Sequence, residues 1–537
     1  MSTWTKKAGL GLLAAALGTS LLAACSNGNN ETPGGAEAEP GDNFNATGYP
    51  IVDEKETQHF VISKGPAHGD FDEMDTVQAL EEMTNVHIQW EAISQSGFDE
   101  KKNLMFASGE LPDGFFLGLN SQDVIQYGQQ GILLPLEDLI EQYAPNISRI
   151  FEDYPAVRQA ATAPDGHIYA LPWFEGYEYF LYRNTLLINK TWLDNLGLDV
   201  PETTEEFHEV LKAFKTQDPN GNGKADEMAS TWLHNEATRG YYELFGAFGA
   251  VDAMDMFSIE DGKVRFEGVR DEYRDGLNYL HALYADGLID PETFTQNADQ
   301  LAAKTRTGNV GVLAAFTGIF ELGEELLSEH YVAVPPLKGP NGDQLWRRQD
   351  NRLQQNFFSI TSENPHPEVA IRLADAMNET DMRVQLHRGP FGTHLQRTDD
   401  GLIEPVDPPA GVNALEFKGQ EAPLNSLPLL YPQEDLDLNK PDAPQRYRME
   451  FYEIYKPYIV PEENYFPLTY IDEEKTRRLA ILETDIMQYI RKMEAKWIIE
   501  GGADAEWDAY LKELGNMGLE EYIQIHQDVY DNLMSAQ

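Results

Sequence analysis

Ten consecutive residues near the middle of the chain carry oxygen donors at a regular spacing: Asp218-Pro219-Asn220-Gly221-Asn222-Gly223-Lys224-Ala225-Asp226-Glu227. Side-chain oxygens stand at 218, 220, 222 and 226, with Glu227 adjacent. The carbonyl of Lys224 falls where an EF-hand loop contributes main-chain oxygen. Alternation of this kind arranges oxygens around one hard cation, and the glycines permit the tight turn. A flexible cage of five or more oxygens favours Ca2+ over Mg2+. The bidentate acid that an EF-hand places at its twelfth position is replaced here by Ala229, and the acid comes earlier, at Glu227. The loop is therefore EF-like, and the lack of a second copy excludes a dockerin. Calcium held here would clip a loop and do no chemistry.

The second chemical signal is Cys25, the single cysteine of the chain. It cannot form an intramolecular disulfide. Lys6 and Lys7 precede an apolar run from Ala8 to Ala24, too short and wrongly flanked for a stable membrane span. The run ends in Leu22-Ala23-Ala24-Cys25, a bacterial lipobox pattern. Small residues fit the peptidase, and the Cys25 sulfur is then the expected site of lipidation. Residues 1–24 read as a signal peptide and residues 25–49, rich in Asn, Gly, Glu and Pro, as a flexible tether. The expected location is extracytoplasmic, anchored to the cell membrane by lipid alone.

Bulk composition narrows the partners. Asp and Glu number 90 against 40 Lys and Arg, a formal net charge of -50. That field repels nucleic acid and anionic membrane surfaces. The acids are dispersed and read as a solvated surface. Catalytic signatures are missing: there is no G-x-S-x-G, H-E-x-x-H or P-loop. A glycosidase needs only two carboxylates, so 90 acids decide nothing about that rival.

Strand-like and helix-like segments alternate along the body. Gln58–Ile62, Val86–Trp90 and Gly114–Leu119 read as strands, Asp72–Thr84 and Phe98–Ser108 as helices. This order is that of a parallel α/β sheet with helices on its faces. Thr203 and Glu206 form a capping box before an apolar stripe of Phe207, Val210, Leu211 and Phe214. Tyr273–Ala285 repeats the helical pattern, and Glu474–Glu500 is the longest one, stopped by Gly501-Gly502. Leu402–Pro432 and Asp437–Pro444 read as long surface loops.

Several segments in fixed order resemble the family 1-type extracellular solute-binding lipoproteins of ABC transporters, the group that includes alginate-oligosaccharide binders and Paenibacillus-type sugar binders. They are the lipobox, Ala107–Asp113, Asp165–Pro172, Asn189–Leu198, the calcium-type loop, Leu283–Asp290, Pro335–Gly342 and the Tyr489–Trp507 region. The resemblance implies a two-lobed periplasmic-binding-protein-like fold (type II) with the ligand cleft between the lobes. It implies an N-terminal lobe of residues 50–182 plus about 331–400, and a C-terminal lobe of 183–330 plus about 401–537. It also implies a structural Ca2+ site on Asp218, Asn220, Asn222, Lys224 (carbonyl), Asp226 and Glu227. The chain is expected to act as a monomer that captures an oligosaccharide and passes it to ABC permease subunits, and to be no enzyme. A peptide or other nutrient in the same fold is the main alternative; a secreted glycoside hydrolase or polysaccharide lyase is a further one.

A sugar presents flat apolar faces and a rim of hydroxyls, so its site needs aromatic platforms and paired polar groups. Trp173, Glu175 and Tyr177 meet that need just after the segment that, by the resemblance, leads to the first lobe crossing. Trp232 with Arg239, and Trp346 with Arg347 and Arg352, are further candidates. His68 joins them, on a loop after the first strand, because open α/β sheets bind ligands at the carboxyl ends of strands.

Overall fold

The computed structural model describes residues 43–349, 352–409 and 411–535. Residues 42–537 form one compact unit. Cys25, the signal segment and the tether up to residue 42 lie outside the described residues. The body begins earlier than residue 50. Asn45 N–H donates to the Ile51 carbonyl at 2.7 Å, and the Phe44 ring meets Tyr143 edge-on at 5.2 Å. No described helix is long and apolar enough to cross a membrane.

In chain order the strands are β1 (Glu56–Lys64), β2 (Val86–Ser94), β3 (Gly114–Phe116), β4 (Leu171–Glu175), β5 (Thr185–Asn189), β6 (Met228–Ser230) and β7 (Phe257–Glu260). They continue as β8 (Lys263–Phe266), β9 (Val310–Ala315), β10 (Tyr331–Ala333), β11 (Gln354–Ile360), β12 (Leu395–Arg397), β13 (Ile403–Pro405) and β14 (Leu430–Tyr431). The helices that matter below are α1 (Asp75–Thr84), α2 (Gln95–Ser108), α3 (Thr204–Thr216), α4 (Asp271–Ala285), α5 (Thr380–Arg388) and α6 (Glu473–Glu500).

One sheet has the order β14-β4-β11-β3-β1-β2. β1 runs parallel to β2 and β3, and β11 runs antiparallel to β3 and β4. β14 runs parallel to β4, with Leu430 opposite Phe174 and Tyr431 opposite Glu175. The carboxyl ends of β1, β2, β3, β4 and β14 therefore share one edge with the amino end of β11. The second sheet, β10-β5-β9-β6, gathers the carboxyl ends of β6, β9 and β10 beside the amino end of β5. Residues 176–184 and 334–353 both connect these two edges. The chain leaves the first sheet where a ligand would be met in an open α/β sheet.

Side-chain patterning explains the elements. Phe207, Val210, Leu211 and Phe214 are all buried along α3, and the Thr203 hydroxyl accepts from Glu206 N–H at 3.1 Å while the Glu206 carboxylate accepts from Thr203 N–H. Burying each such side chain contributes about 1.5–3 kcal/mol. Leu479, Leu482, Ile486, Ile490, Met493 and Trp497 bury the inner stripe of α6, while Tyr489 stays half-buried. The segment read as a loop over Leu402–Pro432 contains β13, β14 and a short helix at Ala414–Gly419. These pieces are too short for their periodicity to stand out among the prolines.

Candidate functional site

β4 alternates its side chains, so Trp173 and Glu175 share one face and Phe174 takes the other. Hydrophobic neighbours hold this strand in the sheet, and all five of its residues are buried. Arg352 lies against the Trp173–Glu175 face. Its guanidinium sits 5.0 Å from the Trp173 ring centroid and 4.8 Å from that of Phe180. Its Nη1 is 3.0 Å from Glu175 Oε2, an ion pair whose alignment leaves that oxygen without a proper hydrogen bond. Burial pushes the Glu175 carboxyl above the usual range, and Arg352, Arg388 and Arg448 pull it back.

Polar atoms in this cluster are buried and unpartnered. Trp173 Nε1, Glu175 Oε2, Tyr177 Oη, Thr317 Oγ1 and His387 Nδ1 all lack a hydrogen-bond partner. An orphaned buried group costs about 1–3 kcal/mol each, so five in one neighbourhood need a reason. Trp173 and Tyr177 are almost wholly enclosed. Rings of Tyr179, Phe180 and Phe316 continue the aromatic wall, with Tyr177–Tyr179 at 5.6 Å and Phe180–Phe316 at 6.4 Å. Arg448 fixes the crossing segment from below. Its guanidinium donates to the carbonyls of Tyr179, Tyr182 and Phe316 at 3.0, 2.6 and 2.8 Å.

The structure thus brings together Trp173, Glu175, Tyr177 and Arg352 of the residues singled out by sequence. The others lie elsewhere. Trp232 follows β6 and is buried, its Nε1 donating to Ser230 Oγ at 3.1 Å. Arg239 pairs with Glu321 at 2.9 Å and borders a separate cavity of about 350 Å3 beside Arg306 and Phe320. Trp346 stacks on Tyr455 at 4.2 Å and donates to the Asn184 carbonyl. Arg347 is buried among Glu243, Asp252 and Asp255 at 3.3–3.7 Å. His68 is locked: Gly65 N–H donates to its Nδ1, leaving Nε2 to donate to the Pro423 carbonyl at 3.1 Å. Residues that sequence reasoning passed over are Phe180 and His387. Phe180 and Tyr179 lay within the same aromatic run, whereas His387 carries no signal in sequence.

A cleft of about 1780 Å3 opens on the Phe174 side of β4, bordered by Tyr154, Arg158, Arg348, Tyr470 and Tyr530. Several of its charges are already paired: Arg348 with Glu462, Lys475 with Asp472 and Glu137 with His167. The enclosed cluster, by contrast, keeps buried donors and acceptors without hydrogen-bond partners.

The calcium-type loop joins α3 to β6. Asp218 adopts a left-handed φ of 50°, with Gly221 and Gly223 at 69° and 76°. The Asp218 carboxylate accepts from Asn222 N–H and Gly223 N–H at 3.1 and 2.9 Å. Asn222 Oδ1 accepts from Lys224 N–H at 2.8 Å, and Asp226 Oδ1 accepts from Asn222 Nδ2 at 3.0 Å. Asn222 beside it holds the Asp226 carboxyl below its usual range. Among the described residues no cluster of His, Cys, Asp and Glu alone forms a metal set. This loop mixes acids with amide and carbonyl oxygens. Glu227 is 5% exposed, and its Oε1 has no partner. A buried carboxylate oxygen without a donor fits a cation.

The match to known families decides the class. A family model described as bacterial extracellular solute-binding protein matches residues 23–383. The chain belongs to that family. Its members are binding proteins, not enzymes, and work outside the cytoplasm. A fructooligosaccharide ABC transporter substrate-binding protein of Streptococcus pneumoniae, FusA, is 33% identical over 97% of this solute-binding protein and 97% of its own length. Its structure with kestose matches at 32% identity and a TM-score of 0.74, covering 90% of this chain and 100% of that one. The same protein is also known as an EF-hand mutant with fructo-nystose. An HMO-binding solute-binding protein of Bifidobacterium longum infantis is 27% identical with a TM-score of 0.79, over 89% of this chain and 99% of its own. This solute-binding protein therefore has the mixed α/β, two-domain fold of these neighbours.

Proposed function

We propose that this solute-binding protein captures an oligosaccharide and delivers it to the permease of an ABC importer. The observation that carries this reading is the enclosed cluster at the end of β4, where aromatic faces surround buried polar atoms with no partners. Sugar hydroxyls both donate and accept, so one ligand satisfies Trp173 Nε1, Glu175 Oε2 and Tyr177 Oη together. Trp173 and Phe180 supply apolar faces. The names of the relatives, a fructooligosaccharide binder and an HMO binder, support the ligand class. Trp232 and Arg239 belong to the edge of the second sheet and meet longer ligands, while Trp346, Arg347 and His68 hold the cleft's frame.

Calcium belongs to the same reading. Asp218, Asn220, Asn222, Asp226, Glu227 and the Lys224 carbonyl would hold Ca2+ and tie α3 to β6. The unpartnered Glu227 oxygen and the EF-hand named for the relative support it. Cys25 is the lipidation site, and the lipid is the chain's sole membrane contact.

A melting screen of residues 26–537 against oligosaccharides, with peptides as controls, tests the ligand class. A saccharide at a hundredfold excess over Kd adds about 2.7 kcal/mol to stability, and the same sugar must be recovered intact. Stabilisation by peptides alone would move the assignment to peptide uptake. Cleavage of the sugar would make the chain an enzyme.

A further inference from the structure

Most of the buried arginines in this protein are well bonded. Arg383 donates to Asp435 and to the Asn378 carbonyl. Arg448 reaches four carbonyls, Arg347 three carboxylates and a carbonyl, and Arg491 the Glu494 carboxylate and two carbonyls. Arg388, the last residue of α5 and only partly buried, has no side-chain hydrogen bond and no ion pair among the described residues. Gly389 follows at φ 103° and turns the chain away, with His394 packed against it.

Arg388 follows His387, whose ring lies 6.5 Å from that of Trp173 and 5.3 Å from that of Tyr431 in the β4 cluster. The Arg388 charge interacts with Tyr177, Tyr431, Glu175 and Tyr179. The Tyr431 hydroxyl is engaged, donating to the Arg383 carbonyl at 2.8 Å. The Tyr177 hydroxyl is not engaged: its Oη has no hydrogen-bond partner, and Glu175 Oε2 makes only its ion pair to Arg352. Charge is unbalanced here too. Arg352 already takes Glu175 as its counter-ion. Lys418 lies close enough that burial and the Arg388 charge push its ammonium below the usual range. So three cations, Arg352, Arg388 and Arg448, act on the one carboxylate of Glu175, in a chain with 90 acids to 40 bases. Folding alone gives no reason to leave a partly buried guanidinium unpaired, since its desolvation is repaid only by hydrogen bonds.

We propose that Arg388 contacts the ligand, its planar guanidinium presenting two parallel N–H donors to a pair of oxygens on the bound saccharide. This rests on the oligosaccharide reading and extends it with a residue that sets specificity. The oxygen pair is two vicinal hydroxyls or one carboxylate, which accept from the same fork. A vicinal hydroxyl that accepts from Arg388 donates its own proton to Glu175 Oε2, while Tyr177 Oη closes the ring of bonds.

The test uses residues 26–537 with calcium present, as wild type, Arg388→Gln and Arg388→Lys. Calorimetric titrations with kestose and with a digalacturonate compare a neutral and an acidic probe, and melting curves without ligand report folding. Loss of a charge-assisted bond lowers affinity about 10- to 100-fold. The expected result is that loss in Arg388→Gln, partial recovery in Arg388→Lys, and an unliganded melting temperature close to wild type. Binding of kestose identifies the hydroxyl pair, and salt-sensitive binding of digalacturonate the carboxylate. If wild type binds a probe and Arg388→Gln binds it equally well, Arg388 does not touch the ligand, and the oligosaccharide reading stands. A fall in melting temperature with affinity unchanged likewise overturns the proposal, leaving Arg388 a structural residue. If wild type binds neither probe nor any other saccharide, both readings fall together.

Discussion

Single residues in the β4 cluster separate binding from stability. Tyr177 is the clearest case, because its hydroxyl is buried with no partner. Tyr177→Phe removes an unsatisfied group, so the unliganded protein should be at least as stable as wild type by urea unfolding. The same change should weaken saccharide binding by about tenfold, the worth of one hydrogen bond. Trp346 offers the opposite pattern: its indole N–H is satisfied by Asn184 and its ring stacks on Tyr455. His387 adds a pH dependence with a definite sign. Burial, reinforced by Arg388, Arg352 and Lys418, pushes its imidazole well below the ordinary 6.5. Above 6.5 both folded and unfolded forms are neutral and the group contributes nothing. As pH falls below that value the unfolded chain takes the proton and the folded one does not, so stability is lost. Between about pH 7.5 and about pH 5, wild type should therefore lose unfolding free energy relative to His387→Gln. Sequence revealed Trp173, Glu175 and Tyr177 through residue type and closeness along the chain. Burial and satisfied partners depend on distant segments, which is why Trp346, Arg347 and His68 looked alike with Arg352 in sequence.

At the scale of elements, local signals were legible where they are short-range. The capping box at Thr203 and the stripe behind it gave α3 almost to the residue. Thr203→Ala should cost about 1 kcal/mol in equilibrium unfolding, with ligand affinity unaffected. The loop that follows α3 was equally legible, because oxygen spacing is written in sequence. Glu227→Gln keeps the shape but removes the charge facing a cation. It should abolish the difference in melting temperature between calcium and chelator, whereas wild type should melt lower in chelator. Equal melting of wild type in both conditions would mean that the loop is only a turn. Elements such as β14 were not legible: two residues, Leu430 and Tyr431, make a strand only because β4 offers an open edge.

For the whole molecule, the βαβ order announced the parallel run of β1, β2 and β3 but not the antiparallel β11 that makes the sheet mixed, and two connecting segments join its carboxyl edge to the second sheet. What sequence could not reveal is the charge balance inside the cleft. A net charge of -50 describes the surface, while the cluster beside β4 is rich in cations. Lobe closure on the ligand should appear as a decrease in the radius of gyration by solution scattering when saccharide is added. The central claim is capture without chemistry, and a calorimetric titration of residues 26–537 with kestose, followed by analysis of the recovered sugar, tests it most directly. The account expects saturable binding at one site, lost in Trp173→Ala, with the kestose returned whole. Hydrolysed sugar, or heat that is unchanged when Trp173 and Glu175 are replaced, would contradict it.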